Sequence, residues 1–195
     1  MLQTRERAAA GRPAVAQGRL PLGLATACAD LGAQVTAVQA RIAALEAASM
    51  PLAERLPAYA LLRTIPGVGP TGAAILLAEL GDSAWYTKFS QLRKLAGLDI
   101  VRVQSGQFAG QARISKCGRS LLRWALYHAA MGMARTVAGR ARLAALKAKR
   151  HGDRFAGFKA IVELAAKVLR IVWGVWRSGR PYDPLRAGGL RRQPR

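Results

Sequence analysis

A short glycine-rich stretch between two apolar segments limits most strongly how this chain can fold. Residues 65–72 read Ile-Pro-Gly-Val-Gly-Pro-Thr-Gly, with Gly67 and Gly69 one residue apart. Apolar residues precede this stretch and follow it. Glycine adopts positive φ angles that other residues avoid, and proline suits the first turn of a helix. The pattern therefore predicts a helix-hairpin-helix over residues 56–81.

The turn in this hairpin also predicts an anion-binding site. At the start of a helix the backbone N–H groups lack partners within the helix, and the helix dipole is positive there. Both features attract an anion such as phosphate. A phosphate held in this way fixes a nucleic-acid backbone without reading its sequence. We therefore expect Gly67, Gly69 and Thr71 to contact nucleic acid.

The same letters also spell G-x-G-x-x-G, the fingerprint of a dinucleotide-binding turn. That interpretation requires a strand before the glycines and an acidic residue that ends a second strand about twenty residues later. The preceding residues are not β-branched, Asp82 comes too early, and Asp99 does not follow a clear strand. The helical hairpin is therefore favoured, and a plain structural turn between two helices remains a third interpretation.

Positive charge is the strongest signal in the composition. The chain has 31 Lys and Arg against 10 Asp and Glu, a net charge of +21 and a pI near 11.6. Residues 86–154 alone carry 15 basic residues and two acids. Such an excess attracts polyanions. The composition predicts DNA or RNA as partner rather than a small-molecule substrate.

Two further features bear on the compartment. The apolar residues 161–176 include three charged side chains, so they predict a helix with a polar face and not a membrane span. Cys28 and Cys117 have no second Cys or His at ligand spacing, which favours reduced thiols over a disulfide or zinc site. We expect a cytoplasmic protein, associated with the nucleoid if it is prokaryotic.

A heptad pattern precedes the glycine-rich stretch. Apolar residues alternate at spacings of four and three, which is the seam of a coiled coil; this seam consists of Leu24, Cys28, Leu31, Val35, Val38, Ile42 and Leu45. It predicts a helix over residues 19–50 that ends at Pro51 and self-associates through residues 24–45 as a parallel pair. The alternative is a helix packed antiparallel against its own chain.

The remainder predicts a mainly α fold. Gly81 ends the hairpin, a short helix capped by Thr87 closes at Gly97, and residues 99–110 are irregular, with a short strand and then an exposed loop. A long helix opens at residues 116–119. A last helix over residues 155–177 is expected to bury one apolar face; the buried residues would be Phe158, Ile161, Leu164, Val168, Ile171, Val172 and Val175.

The sequence thus predicts an N-terminal coiled-coil helix followed by a compact helical domain over residues 56–183. A disordered basic N-terminus, residues 1–18, and a disordered basic tail, residues 184–195, flank these parts. No carboxylates lie close enough in sequence to suggest a metal site, and no cofactor is expected in this chain.

The irregular loop contains a candidate nucleophile, Ser105. A hydroxyl beside several cations suits phosphoryl transfer, because the cations stabilise a pentavalent phosphate. Ser115 is the rival. The cations expected to bind nucleic acid here are Lys88, Arg102, Arg113, Lys116, Arg119 and Arg123.

In combination, these residues resemble the C-terminal transposase domain of the DEDD insertion-sequence transposases, the bridge-RNA-guided recombinases related to the pilin-gene invertase. The resemblance covers about residues 20–183. The segments that carry it, in order along the chain, are 65–69, 89–98, 105–106, 113–118, 122–127 and 174–183. It implies a recombinase whose serine attacks the DNA backbone, and by motif position that serine is Ser105. It also implies a guide RNA as partner.

The chain departs from this family in two places. The family has a RuvC-like domain with four metal-binding acids before the coiled coil, which this sequence lacks, so Mg²⁺ is expected only with that missing domain. Asp99 and Ile100 also replace a Thr-Pro-like pair. The resemblance therefore implies a truncated transposase that is catalytically incomplete alone. The alternatives are a non-catalytic helix-hairpin-helix remnant and a small basic nucleoid protein.

Overall fold

A computed structural model of the chain describes residues 22–101, 104–105, 108–109 and 113–184. The chain divides into two units, Met1–Ala48 and Ser49–Arg195. The predicted disordered segments 1–18 and 184–195 lie outside the described residues except for Pro184, and the prediction stays untested there.

Helix α1 spans Leu22–Glu54 and leads from the first unit into the second. The prediction that Pro51 ends this helix is wrong, since the helix continues for another three residues. Proline removes one backbone hydrogen bond, but Met50 and Ala53 on either side of it pack against the core of the second unit and stabilise the last turn. The side chains of the seam are exposed along the helix.

Short helices make up most of the second unit, so the predicted mainly α fold is confirmed. The described residues here form six helices, one 3₁₀ turn and four two-residue strands. The helices are α2 Pro57–Arg63, α3 Pro70–Leu80, α4 Phe89–Leu95, α5 Ser120–Met133, α6 Val137–Ala148 and α7 Ala156–Ser178; the 3₁₀ turn is Ser83–Trp85; the strands are β1 Ile100–Val101, β2 Gln104–Ser105, β3 Phe108–Ala109 and β4 Arg113–Ile114. No described helix is both long and apolar enough to span a membrane.

Helix α7 organises the core of this unit. It packs against α2, α4, α5 and α6, and α5 also packs against α3. Its buried stripe includes Leu164, Val168 and Val172, which are at most 1% exposed. The prediction that Phe158 is buried is wrong: its side chain is 58% exposed, because it lies at the edge of the stripe near the start of the helix.

The turn between α2 and α3 is fixed by a close backbone contact. Gly67 has a φ of 89°, and a Cβ there would lie 2.2 Å from the carbonyl oxygen of Ala129 on α5. Only glycine fits this position without displacing α5. Gly69 does not share the positive φ expected of it; at φ −78° and ψ 178° it is extended backbone that precedes α3.

Two of the predicted helix ends are confirmed by their glycines. Gly81 follows α3 at a φ of 70°, and Gly97 follows α4 at 64°. Two helix starts differ from the prediction. Thr87 does not cap α4; instead the Gln91 side chain accepts hydrogen bonds from the backbone N–H groups of Thr87 and Lys88, at 3.0 and 3.1 Å.

Helix α5 begins at Ser120, later than the predicted opening at residues 116–119. Lys116 adopts a left-handed φ of 56°, which a helix does not accommodate. The N–H of Arg119 is bonded to the carbonyl oxygen of Leu95 at 2.8 Å, so this segment is held against the end of α4 before the helix starts.

Candidate functional site

Ser105 lies in a small hairpin. Strand β2 pairs antiparallel with β3, with Ser105 opposite Phe108. Strand β1 pairs antiparallel with β4, with Ile100 opposite Ile114. The predicted short strand is present as β1, while residues 104–105 and 108–109, predicted as loop, pair in the second ladder. For Ser105 the structure describes the backbone only.

The base of this hairpin is fastened to the helical domain by backbone hydrogen bonds. The N–H of Ser115 donates to the carbonyl oxygen of Asp99 at 2.7 Å, and the N–H of Lys116 donates to that of Gly97 at 3.1 Å. A Cβ at Gly118 would lie 2.4 Å from the carbonyl oxygen of Leu95. The two segments therefore touch through their backbones, which gives the hairpin a rigid base.

An ion pair adds to this base. The Arg93 side chain donates to the Asp99 carboxylate at 2.9 Å in a partly buried position. Asp99 comes directly before β1, so the pair fixes the strand that leads to Ser105.

Two of the predicted phosphate ligands hold the protein backbone. Arg119 donates to the carbonyl oxygen of Glu79 at 2.7 Å, and its guanidinium lies 3.7 Å from the Glu79 carboxylate. Arg123 donates through Nη1 to the carbonyl oxygens of Ala96 and Lys116, at 3.1 and 3.4 Å. A guanidinium has five N–H donors, so each side chain retains donors for a further ligand.

The other predicted cations differ in their placement. Lys88, Arg113 and Lys116 are exposed. Arg113 lies in β4, at the base of the hairpin, and Lys116 comes two residues after that strand. Arg102 lies outside the described residues. The structure therefore brings Arg113, Lys116 and Arg123 to one end of the hairpin, while Lys88 precedes α4.

The turn between α2 and α3, predicted to bind phosphate, is accessible to a ligand on one side only. Gly67 packs on α5, as described above. A Cβ at Gly69 or at Gly72 would meet nothing within 4 Å, and Gly69 has no side-chain cap bond at the start of α3. Thr71 is half-buried in the first turn of that helix. The accessible part of the turn is thus the segment from Gly69 onward.

Four of the described acids are partners of cations. Besides the pairs of Glu79 and Asp99, Lys159 pairs with Asp153 at 2.7 Å, and Arg150 pairs with Glu163. The hydrogen bond from Lys159, with another from the Phe155 N–H, lowers the pKa of Asp153. Among the described residues no group of three or more His, Cys, Asp or Glu could hold a metal ion, so they do not fit a Mg²⁺ site.

Sequence reasoning missed a cavity of about 350 Å³ between α5 and α7. It is lined by Lys116, Arg123, Trp124, Tyr127 and Phe158 together with Ser120 and four apolar residues. One signal was available: a residue two positions after the buried Leu122 points away from the buried face of a helix. Trp124 occupies that position and is 50% exposed.

Comparison with known proteins places this architecture. A model of the transposase IS116/IS110/IS902 family matches residues 59–156. That range runs from α2 to the start of α7 and includes the hairpin with Ser105, the cations at its base and the turn at Gly69.

Three curated proteins are similar to the chain. They are an insertion element IS110 uncharacterized 43.6 kDa protein from Streptomyces coelicolor, 27% identical over 83% of this chain and 39% of that protein; an insertion element IS116 uncharacterized 44.8 kDa protein from Streptomyces clavuligerus, 28% identical over 64% and 30%; and the transposase for insertion sequence element IS1111A from Coxiella burnetii, 32% identical over 62% and 33%. The chain thus spans 30–39% of the length of these relatives. Since the family model covers half of the chain, the chain belongs to the transposase IS116/IS110/IS902 family.

Proposed function

We propose that this chain acts as the DNA-binding C-terminal region of an insertion-sequence transposase, with Ser105 as the nucleophile that attacks the DNA backbone. The observation that carries the proposal is the placement of the hairpin. The region matched by the family model contains a serine on a hairpin with a fastened base, and cations stand at that base.

The proposed reaction is a transesterification. The Ser105 hydroxyl oxygen attacks a DNA phosphorus, a bond forms between them, and the bond from phosphorus to one deoxyribose oxygen breaks. The serine proton leaves to a base, and the departing oxygen gains a proton. Arg113, Lys116 and the remaining donors of Arg123 would stabilise the extra negative charge on the phosphate in the transition state.

The cations at the base of the hairpin supply positive charge for this step, and the Asp99 carboxylate at that base is held by Arg93. A serine hydroxyl is a weak nucleophile until a base or a metal removes its proton, and the cations cannot accept one. The four acids described above are held in ion pairs. We therefore propose that the chain alone is nearly inert and that a RuvC-like acidic domain, with Mg²⁺, completes the reaction.

Formation of a covalent adduct tests the nucleophile. The chain is mixed with a supplied acidic domain, Mg²⁺, a matched guide RNA and labelled DNA, and the product is resolved under denaturing conditions. We expect a protein–DNA adduct that Ser105→Ala abolishes and Ser115→Ala leaves largely intact. Ser115→Ala is a suitable control, because Ser115 is near the same cations and its N–H donates a hydrogen bond to the carbonyl oxygen of Asp99.

Two results would overturn this assignment. An adduct that survives Ser105→Ala and disappears with Ser115→Ala would identify the other serine. An adduct formed by the chain alone would show that the acidic domain is not required.

DNA binding rests on the positive charge and on the open turn. We propose sequence-independent binding to duplex DNA or structured RNA, whose log affinity falls with log salt by about 0.9 per neutralised phosphate on B-DNA. Gly69→Val is expected to weaken binding without changing that slope, because a side chain there would fill the space in front of the backbone N–H groups. A flat salt dependence would exclude binding through phosphates.

The partners include nucleic acid and a second copy of the chain. The exposed seam of α1 supports self-association through residues 24–45, and the resemblance supports a guide RNA. The protein would act in the cytoplasm, where its DNA is. A second candidate function is non-catalytic nucleic-acid binding through the α2–α3 turn. The ion pairs of the acids favour this function, because they leave those carboxylates already engaged. Under that function the DNA binding persists and no adduct forms in any mixture.

A further inference from the structure

The cavity between α5 and α7 differs from the rest of the surface in its chemistry. Its floor is apolar and includes Leu98, Val162 and Ala165. Its volume of about 350 Å³ falls at the low end of the range for small-ligand pockets, about 300–1,000 Å³. That size suits a single nucleotide and is too small for a duplex.

Aromatic side chains form one wall of the cavity and extend beyond it. The Trp124 and His128 rings have centroids 4.3 Å apart, and Tyr127 lies 6.0 Å from both His128 and Phe158. Trp124 and Phe158 are 50% and 58% exposed. Large exposed aromatic patches mark binding sites, since leaving their area in water is costly.

Cations line the same cavity. Lys116 and Arg123 line the cavity, and none of its described lining residues is acidic. Aromatic faces beside cations are the combination that single-stranded nucleic-acid sites use, with a base stacked on the ring and its phosphate beside the charge. An uncharged apolar partner would leave the cations unpaired, so charge complementarity favours a nucleotide.

The cavity is also continuous with the base of the serine hairpin. Ile114 of β4 lines it, and β4 pairs with β1, from which the chain leads to Ser105. A strand held in the cavity would therefore pass close to the foot of that hairpin. Where a strand beside the hairpin is unpaired, its bases are available for stacking.

We infer that this cavity binds one unpaired base of a DNA strand, stacked against Trp124 and Phe158, with its phosphate held by Lys116 and Arg123. The inference rests on the proposed DNA binding, and adds to it the form of DNA that the site selects. Trp124 and Phe158 act as binding residues for the unpaired strand and have no role in binding paired DNA.

The test compares a labelled paired duplex with the same duplex carrying one extra unpaired thymine. We expect the full chain to bind the bulged duplex more tightly, and Phe158→Ala or Trp124→Ala to weaken that binding about tenfold. Trp124→Phe, which retains a stacking face, is expected to restore the preference. Paired-duplex affinity is expected to change by less than about twofold.

Phe155→Ala is the matched control. Phe155 is the same residue type, lies three positions away and is 59% exposed, but it does not line the cavity. We expect it to keep the preference for the bulge. Circular dichroism shows whether each variant is folded. Folding is expected, because the side chains of Trp124, Phe155 and Phe158 are each at least half exposed.

Three results would overturn the inference while leaving the proposed function standing. These are normal duplex binding without preference for the bulge, equal losses for Phe155→Ala and Phe158→Ala, and stronger competition by single-stranded RNA than by DNA of the same sequence. Absence of duplex binding would instead overturn the proposed function, and the loss at Phe158 on single-stranded DNA can still be measured in that case.

Discussion

Helices α1 and α7 are both long, and both carry apolar residues at helical spacing, yet their apolar sides end up in different surroundings. The 33 residues of α1 leave the seam exposed, with values from 49% at Leu24 to 69% at Leu45. The 23 residues of α7 bury their stripe almost completely. The comparison shows that periodicity specifies the helix and its apolar side but not the element that covers that side.

The difference follows from what the chain supplies around each helix. Four helices of the second unit pack around α7, so its stripe is covered from several directions. The seam of α1 is narrow, repeating every seven residues, which is the width that one partner helix covers. A second copy of the chain provides such a helix in our proposal.

The largest effect is expected when charges are placed in the seam of α1. Val35→Asp with Ile42→Asp is expected to convert a dimer fully to a monomer, because paired carboxylates would be buried between two helices. Sedimentation velocity measures the change. Ala33→Asp with Ala40→Asp is the control, since it adds the same charges off the seam; a wild-type chain that is monomeric at high concentration would contradict self-association.

The next effect is on the stability of the second unit. Leu164→Ala in α7 removes a side chain that is 1% exposed and is expected to lower the free energy of unfolding by about 2–5 kcal/mol. Urea unfolding followed by circular dichroism checks it. Leu45 lies in the first unit, so Leu45→Ala should change that transition by less than about 0.5 kcal/mol; equal losses would show that α1 unfolds together with the second unit.

Glycine substitutions in the second unit and in α1 test the same comparison, and their effect on stability should be smaller. Gly67→Ala should cost about 1–3 kcal/mol, because φ is positive and the new Cβ would displace α5. Gly32→Ala in α1, where nothing lies within 4 Å, should stabilise that helix by about 0.5–1 kcal/mol. Thermal unfolding measures both, and Gly69→Ala should be neutral; a neutral Gly67→Ala would disprove the close contact.

The smallest effect concerns charge. Burial lowers the pKa of Lys167, and so do Arg142 and Arg170 beside it. The folded chain therefore holds the Lys167 proton less tightly than the unfolded chain, so stability contributed by this group rises with pH from the lowered pKa up to 10.5, the ordinary value. At pH values below that range, Lys167→Gln should therefore raise the melting temperature by a small amount.

Added salt should reduce the gain in melting temperature from Lys167→Gln, because salt screens the repulsion among Lys167, Arg142 and Arg170. Arg41→Gln in α1 removes the same charge from an exposed position and should leave the melting temperature unchanged. A Lys167→Gln variant less stable than wild type below that pH range would contradict the pKa direction.

Local chemistry explains where prediction from sequence succeeded. Gly81 and Gly97 end their helices at positive φ, since no other residue accepts that conformation readily. The family followed from motifs whose order along the chain is itself part of the sequence.

Prediction failed where distant segments decide the outcome. Lys116 is a good helix residue, yet backbone bonds to Gly97 hold it outside α5. Pro51 normally ends a helix, but core contacts of its neighbours carry the helix past it. Arg119 and Arg123 carry the charges expected at a phosphate site, and nothing in their spacing shows that each also binds a backbone carbonyl.

By itself, the sequence determined the mainly α fold, the helix ends marked by glycine, the net positive charge and the family. These depend on local conformational preference, composition and motif order, which are properties of neighbouring residues. Only the tertiary structure decided that Gly67 meets α5, that the hairpin base is fastened to α4, and that Trp124 and Phe158 share one cavity with Lys116. These contacts join residues far apart in sequence, and their geometry exists only once the helices have packed.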